Sequence, residues 1–242
     1  MTSNMSKKLR FFLSHLSGSL LIAFLALLLV FGFWYPTPLA QAVGVMNLFL
    51  MMIVIDVIVG PFLSFLIYKE GKKTLRMDLT IIIFLQFAIL IYGLYSIEQG
   101  KPAYITYNLD RFELVRKNEI ISSDYQYNDN FGSYPSYVAV KYPDDNRLKE
   151  KLMFDELFGG ISLSQRPDFY QELQSAKQQM DNKVLSLKDL SKYNSPSQVD
   201  KILSKYPKAI GFFPLKANNL DMTVLVDKDY KVIKIVNLRP WA

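Results

Sequence analysis

The chain has no cysteine and one histidine, His15. Without cysteine there are no disulfides, thiolate metal sites or cysteine nucleophiles. A single imidazole excludes HExxH-type zinc sites and any centre that needs two histidines. Gly-rich phosphate loops and the GxSxG elbow are missing, and the acids beyond residue 100 are scattered rather than clustered. No cofactor or metal is expected, and nothing in the pattern reads as catalysis. Charge is sparse in the first hundred residues. Of the 242 residues half are hydrophobic and 21% charged, but before Gly100 apolar runs dominate, and after it charge, Asn, Ser and Tyr enter with short apolar clusters. The net charge of +6 sits partly beside the apolar runs, where it orients a membrane protein rather than binding nucleic acid.

Three runs are long enough to span a bilayer: about residues 11–35, 43–68 and 79–97. The second covers about 26 residues, or about 39 Å as a helix, against a hydrocarbon core of about 30 Å. It carries Asp56 near its middle. A central charge opposes insertion by about 2.5–3.5 kcal/mol, but more than a dozen large apolar residues each return about 0.3–0.6 kcal/mol. Trp34 and Tyr35 close the first run at the headgroup level, and Pro36 and Pro38 stop it. Ala40-Gln41-Ala42 raises the alternative of a cleaved signal peptide, but the apolar run exceeds the about 7–15 residues of such a segment.

Positive residues flank the start of the first run (Lys7, Lys8, Arg10) and the loop between the second and third (Lys69, Lys72, Lys73, Arg76); the turn from Pro36 to Ala42 has none. The positive-inside rule then puts the N-terminus in the cytoplasm and everything after Gly100 across the membrane. The expected organisation is a three-span unit, 1–99, and an exported α+β domain, 100–242, with a small, mostly antiparallel sheet. In that domain, strands are expected at 103–108, 137–142, 209–215, 222–226 and 230–238, with 110–120 ambiguous and 122–137 a loop. Helices are expected from an Asp144 or Asp145 cap to Phe158, from Pro167 through Met180, and from a Ser195–Gln198 capping box through Tyr206.

Within the spans, Asp56, Gly60 and Ser64 share one helical stripe, and Gly60 with Ser64 forms a small-xxx-small pair; Ser14 and Gly18 repeat that spacing in span one. Pro61 cannot donate to the Val57 carbonyl, so an acceptor is freed there. Three readings are open. The stripe packs the chain's own spans, with Asp56 satisfied by Gln86 or water; or it docks a partner's transmembrane helix; or Asp56 lies on a proton or ion path, for which no relay is visible. Asn47 faces the opposite side of the helix and reads as an interface residue. His15 reads as an interfacial histidine.

Several segments resemble the type IV pilin accessory proteins of the TfpX/TfpZ group: KKLRFFLSHLSGSLLIA (Lys7–Ala23), YPTPLAQAVGV (Tyr35–Val45), IDVIVGPFLS (Ile55–Ser64), YKEGKKTLRMDL (Tyr68–Leu79), NLDRFELV (Asn108–Val115) and LRPW (Leu238–Trp241). The match weakens between Ser122 and Pro207. The resemblance implies a bacterial inner-membrane protein that promotes or tunes assembly of a cognate major pilin, in contact with the bilayer and with the inner-membrane assembly platform, and with no catalytic residues to carry over. The contrasting classes are a membrane enzyme or transporter that modifies pilin or moves a small ion, and a structural subunit of the pilus machinery.

Overall fold

The computed structural model describes residues 6–121 and 135–241. The chain forms two compact units: Met1–Trp34 with Val45–Gln99, and Tyr35–Gly44 with Gly100–Ala242.

The first unit holds three helices long and apolar enough to cross a membrane: Lys7–Trp34, Val45–Ile67 and Leu75–Gln99. Span one is α1 (Lys7–Leu29), capped by the Ser6 hydroxyl, which accepts from the Leu9 N–H at 3.2 Å, and continued by a π-helical turn Val30–Trp34. The helix therefore starts among the lysines, ahead of the apolar run. Span two is α3 (Val45–Val54), a π-helical turn Ile55–Val59, and α4 (Gly60–Ile67); span three is α5 (Leu75–Gln99). Span two packs against both others. Rings lock the bundle edge-on, Phe31 against Phe49 at 5.1 Å and Phe12 against Phe65 at 5.5 Å. Most large side chains on the outer faces stay exposed, such as Phe84 at 70% and Ile91 at 65%. This apolar exterior suits lipid and would be untenable in water. The basic clusters meet at one end of this unit: Lys7 lies 3.7 Å from Glu70, and the Lys8 ammonium sits 4.1 Å above the Phe65 ring.

The second unit is a seven-stranded sheet with helices. Its strands are β1 (Pro102–Asn108), β2 (Arg111–Arg116), β3 (Ser136–Val140), β4 (Tyr170–Glu172), β5 (Gly211–Lys216), β6 (Met222–Val226) and β7 (Val232–Val236), in the order β4-β3-β1-β2-β5-β6-β7. The sheet is mixed rather than mostly antiparallel as expected: β1 pairs with β3, and β2 with β5, in parallel, while the other neighbours run antiparallel. The parallel pairings arise because long excursions return the chain to the sheet in the same direction, which a hairpin cannot do. The ambiguous 110–120 segment is strand β2 and then a 3₁₀ turn, Lys117–Glu119. Glu119 is held there. Burial acts to raise its pKa, but hydrogen bonds from the Arg116 backbone and guanidinium and from Asn218 hold it below the usual carboxylate range.

Helix α6 (Asn146–Gly159) begins after the expected Asp145 cap and ends at Gly160 in the left-handed region. The helix expected from Pro167 through Met180 is broken into a 3₁₀ turn, edge strand β4, a second 3₁₀ turn and α7 (Lys177–Asp181). Backbone pairing of Tyr170–Glu172 with β3 overrides helical periodicity, yet Ala176 and Met180 are buried as the pattern required. Helix α8 (Pro196–Leu203) starts after Ser195 as expected, though the Ser195 side chain makes no capping bond; Val199, Ile202, Leu203 and Tyr206 pack on one face. The loop expected at 122–137 lies largely outside the described residues.

The turn between spans one and two belongs to this unit. Its short helix α2 (Leu39–Val43) puts Leu39 and Ala42, 3% and 0% exposed, into the core formed by Ile105, Phe213, Met222 and Val224. The Asn219 and Leu220 N–H groups both donate to the Ala42 carbonyl, at 2.9 and 3.2 Å. Asn219 Nδ2 donates to the Gln41 carbonyl at 3.1 Å, and Asn237 Nδ2 to Gln41 Oε1 at 2.8 Å. Helix α2 ends on Gly44 at φ +80°, where a Cβ would also meet Asn219 at 2.9 Å. Only glycine fits that corner.

Candidate functional site

The π-helical turn at Ile55–Val59 is where span two departs from regular structure. There the Gly60 N–H reaches back to the Ile55 carbonyl, five residues away. Continued one step, the same ladder would need an N–H at residue 61 for the Asp56 carbonyl, and residue 61 is proline. The shifted register therefore orphans the carbonyl of Asp56, where a regular helix would orphan that of Val57. Gln86 of span three fills the gap: its Nε2 donates to the Asp56 carbonyl at 3.0 Å. Gly60 lets the amide come this close, because a Cβ there would run into Gln86. Insertions of this kind are how a helix tolerates a proline inside a membrane.

Asp56, Gly60 and Ser64 do share a stripe, and all three are buried within the chain. Gly60 is taken up by Gln86. Ser64 is wholly enclosed, and its hydroxyl has no partner among the described residues. The stripe is therefore not a free docking face. Only Asp56 reaches past it.

Its side chain lines a cavity of about 140 Å³ between spans one and three. Ser14, Gly18 and Ile22 form one wall, and Ile83, Phe87 and Leu90 the other. His15 and Gln86 join Asp56 in the lining. Ser14, Gly18, Ile83 and Phe87 are exposed at its rim, so the cavity is a groove open on the outer face of the bundle. A Cβ on Gly18 would meet nothing within 4 Å. Asp56 is 5% exposed, and no side chain among the described residues donates to its carboxylate. Gln86 spends a donor on the backbone, and its side chain also interacts with that of His15 across the groove.

Sequence reasoning placed His15 at the interface, apart from Asp56; the structure puts them on one groove. Ser14 and Gly18 join the same groove. Asn47 is exposed and does not line it. The basic residues Lys7, Lys8, Arg10, Lys69, Lys72, Lys73 and Arg76 lie at or beyond the helix ends, away from it; Lys72 pairs with Asp78 at 2.6 Å. His15 was legible through its spacing to Gly18 and Ile22, at i, i+3 and i+7 on one helix face.

No group of acids and histidine able to hold a metal ion comes together among the described residues. In the sheet domain, buried Glu113 is engaged by Arg111 Nε at 3.2 Å and by the Ser162 hydroxyl at 3.0 Å.

The family model of the fimbrial assembly protein FimB matches residues 3–44, which cover span one and the turn through Gly44. Three fimbrial assembly proteins of Dichelobacter nodosus are similar to this chain. That of serogroup I is 26% identical over 254 residues, covering 97% of this chain and 98% of the relative. That of serogroup E1 is 28% identical over 255 residues, with coverage of 97% and 98%. That of serogroups C1 and C2 is 34% identical over 124 residues, which is 48% of this chain and 95% of the relative. No solved structure matches. On this similarity, which spans almost the full length of all three relatives, the chain belongs to the fimbrial assembly protein family.

Proposed function

We propose that this chain is a non-catalytic, chaperone-like accessory protein of the TfpX/TfpZ kind, which binds a cognate major type IV pilin in the bacterial inner membrane and promotes its assembly into a pilus. The observation that carries this reading is the groove: a buried acid without a side-chain partner among the described residues, opened to the lipid-facing surface by Ser14 and Gly18. An intramembrane acid left without a partner by its own chain is costly, and a partner helix is the ready source of one. Relatives along the whole chain are named fimbrial assembly proteins, which supports the process. The clustering of basic residues at one end of the span unit supports a cytoplasmic N-terminus, and in this reading the sheet domain is periplasmic, on the side of the pilin head. The groove holds the pilin's apolar helix in an orientation the assembly platform can take up, by binding that state more tightly than others. No cofactor and no nucleic acid enter this scheme.

Piliation tests it. Asp56→Asn keeps shape and volume, and Gly18→Leu fills the groove from a position with no neighbour to displace. Both are expected to cut surface pili while the protein stays at its normal level. Normal piliation in both variants contradicts the proposal, and a change in pilin mass on deleting the protein points to an enzyme instead.

A further inference from the structure

Helix α6 carries an apolar surface that the sheet does not use. It buries Leu152 against Val140 and Leu163. Its opposite face changes character along its length. The first turns present Arg147, Lys149, Glu150 and Lys151; the last present Met153, Phe154, Leu157 and Phe158, which are 51%, 61%, 74% and 82% exposed. The Phe154 and Phe158 rings stack at 5.7 Å. Among the described residues of the sheet unit, Phe158, Leu157 and Phe154 are the most exposed large apolar side chains, on a par with the outer faces of the spans. Of the two acids in these turns, Asp155 is held by Arg166 at 2.7 Å, and Glu156 lies at the edge of the face, about 100° round the helix from Leu157. Hydrogen bonds fix which end of the sheet this apolar tip occupies. Near the start of α6, the Tyr142 hydroxyl donates to Asn108 Oδ1 at 3.0 Å, beside the last residue of β1. At the opposite end of β1, the Lys117 N–H donates to the Lys101 carbonyl at 2.9 Å, Asn218 Nδ2 to Glu119 Oε1 at 2.9 Å, and the Ile121 N–H to the Gln165 carbonyl at 2.8 Å. Gly160, the residue that ends α6, lines one pocket with Glu119, Gln165 and Asn218. The tip of α6 therefore stands at the end of the sheet that holds Lys101 and Asn219, and Asn219 binds α2 just before Gly44. Span three ends at Gln99 and span two begins at Val45. Lipid begins within a few residues of that end of the sheet, on whichever side of the membrane the sheet lies.

We infer that the tip of α6 is a lipid anchor: Met153, Phe154, Leu157 and Phe158 insert at the boundary between headgroups and acyl chains, and Arg147, Lys149 and Lys151 meet anionic phosphates above them. The anchor is independent of what fills the groove at Asp56. Its dimensions fit. Residues 153–158 cover about 8 Å along the helix, and interfacial helices sink about 5–10 Å into this boundary. Its charge fits as well. The polar turns hold three cations against one acid, Glu150, and long basic side chains reach the phosphates while their stems lie along apolar surface. A second copy or another protein covering the face gives no reason for apolar side chains to begin toward the end of the helix where the spans start; a bilayer does. Four large apolar side chains left in water would be the kind of patch that soluble surfaces avoid.

The test exploits the lack of cysteine. Leu157→Cys, Phe158→Cys, Glu150→Cys and Leu109→Cys, made singly in the full chain, each carry the environment-sensitive fluorophore NBD. The protein is reconstituted in vesicles of phosphatidylethanolamine and phosphatidylglycerol, with and without a lipid bearing a nitroxide high on its acyl chain. Glu150 shares the face of Leu157 two turns earlier, and Leu109, 52% exposed, lies in the turn between β1 and β2, beside Asn108. Emission from positions 157 and 158 is expected to be blue-shifted and quenched several-fold more by the nitroxide lipid than emission from 150 or 109. Leu157→Asp loses no packing, since Leu157 is exposed, and should bring the quenching at 158 down to the level at 150. Vesicles of phosphatidylcholine alone should also weaken the quenching at 158, and undiminished quenching there refutes the phosphate contact. Absence of quenching at 157 and 158 overturns the anchor. A blue shift there without quenching overturns it too, because the face is then covered by protein, a second copy included. Equal quenching at all four positions contradicts insertion of the tip.

Discussion

Leu39→Asp is expected to unfold the sheet domain. Leu39 sits in the turn between two membrane spans, where a charge ordinarily costs nothing, but here it is 3% exposed among the side chains of the sheet. Removing a buried leucine forfeits about 1.5–3 kcal/mol of burial. An unpaired carboxylate in its place adds several kcal/mol more. The sum approaches the roughly 5–15 kcal/mol that holds a typical domain together. Leu39→Ala should cost about 2–5 kcal/mol and leave a folded but less stable domain. Protease resistance of the part after Gly100 in membrane vesicles is the readout. Rapid degradation of the Asp variant, with partial protection of the Ala variant, is expected. Full protection of both would mean that the turn is a solvated linker.

Gly60→Leu should do comparable damage inside the membrane. A side chain at residue 60 collides with the amide of Gln86. Overpacking of this kind costs about 1–3 kcal/mol. Pushing Gln86 away also strips the Asp56 carbonyl of its donor, which adds about 1–3 kcal/mol for a buried acceptor left unsatisfied. The protein level in the membrane should fall several-fold. Gly18→Leu makes the same chemical change where nothing lies within 4 Å, and should leave the level unchanged. Equal levels for both variants would mean that Gly60 does not face Gln86.

The contrast between these glycines bears on what could be read from the chain alone. Both sit in small-xxx-small pairs, and spacing cannot tell an inward glycine from an outward one. Gly60 faces Gln86 of span three, at the exit of the π-helical turn, and Pro61 selects which carbonyl goes unpaired. That turn has no sequence signature beyond the proline. The spans themselves were legible because length and apolarity need no tertiary context. So was Asp56, because a lone acid stands out in hydrocarbon. Strands β1, β3, β5, β6 and β7 were legible from β-forming runs bounded by turn residues.

Long-range pairing hid the rest. Helix α2 looked like a bare connector, yet Leu39 and Ala42 are buried against residues far along the chain, with Ala42 bonded to Asn219 and Leu220. Leu39 and Ala42 at i, i+3 in the turn were the only local hint. Strand β4 is three residues long and is strand only because β3 offers a free edge. Gln171 and Glu172 carry no β signal of their own, so helical periodicity gave the wrong backbone around the right buried residues.

Photocrosslinking in living cells reaches the central claim most directly. Benzoylphenylalanine at Phe87, on the groove wall, is compared with the same group at Asn47, which is exposed and does not line the groove. Expected is an adduct with the major pilin from position 87 that Gly18→Leu abolishes, and none from position 47. No pilin adduct from 87, or equal adducts from both positions, would contradict a pilin-binding groove at Asp56.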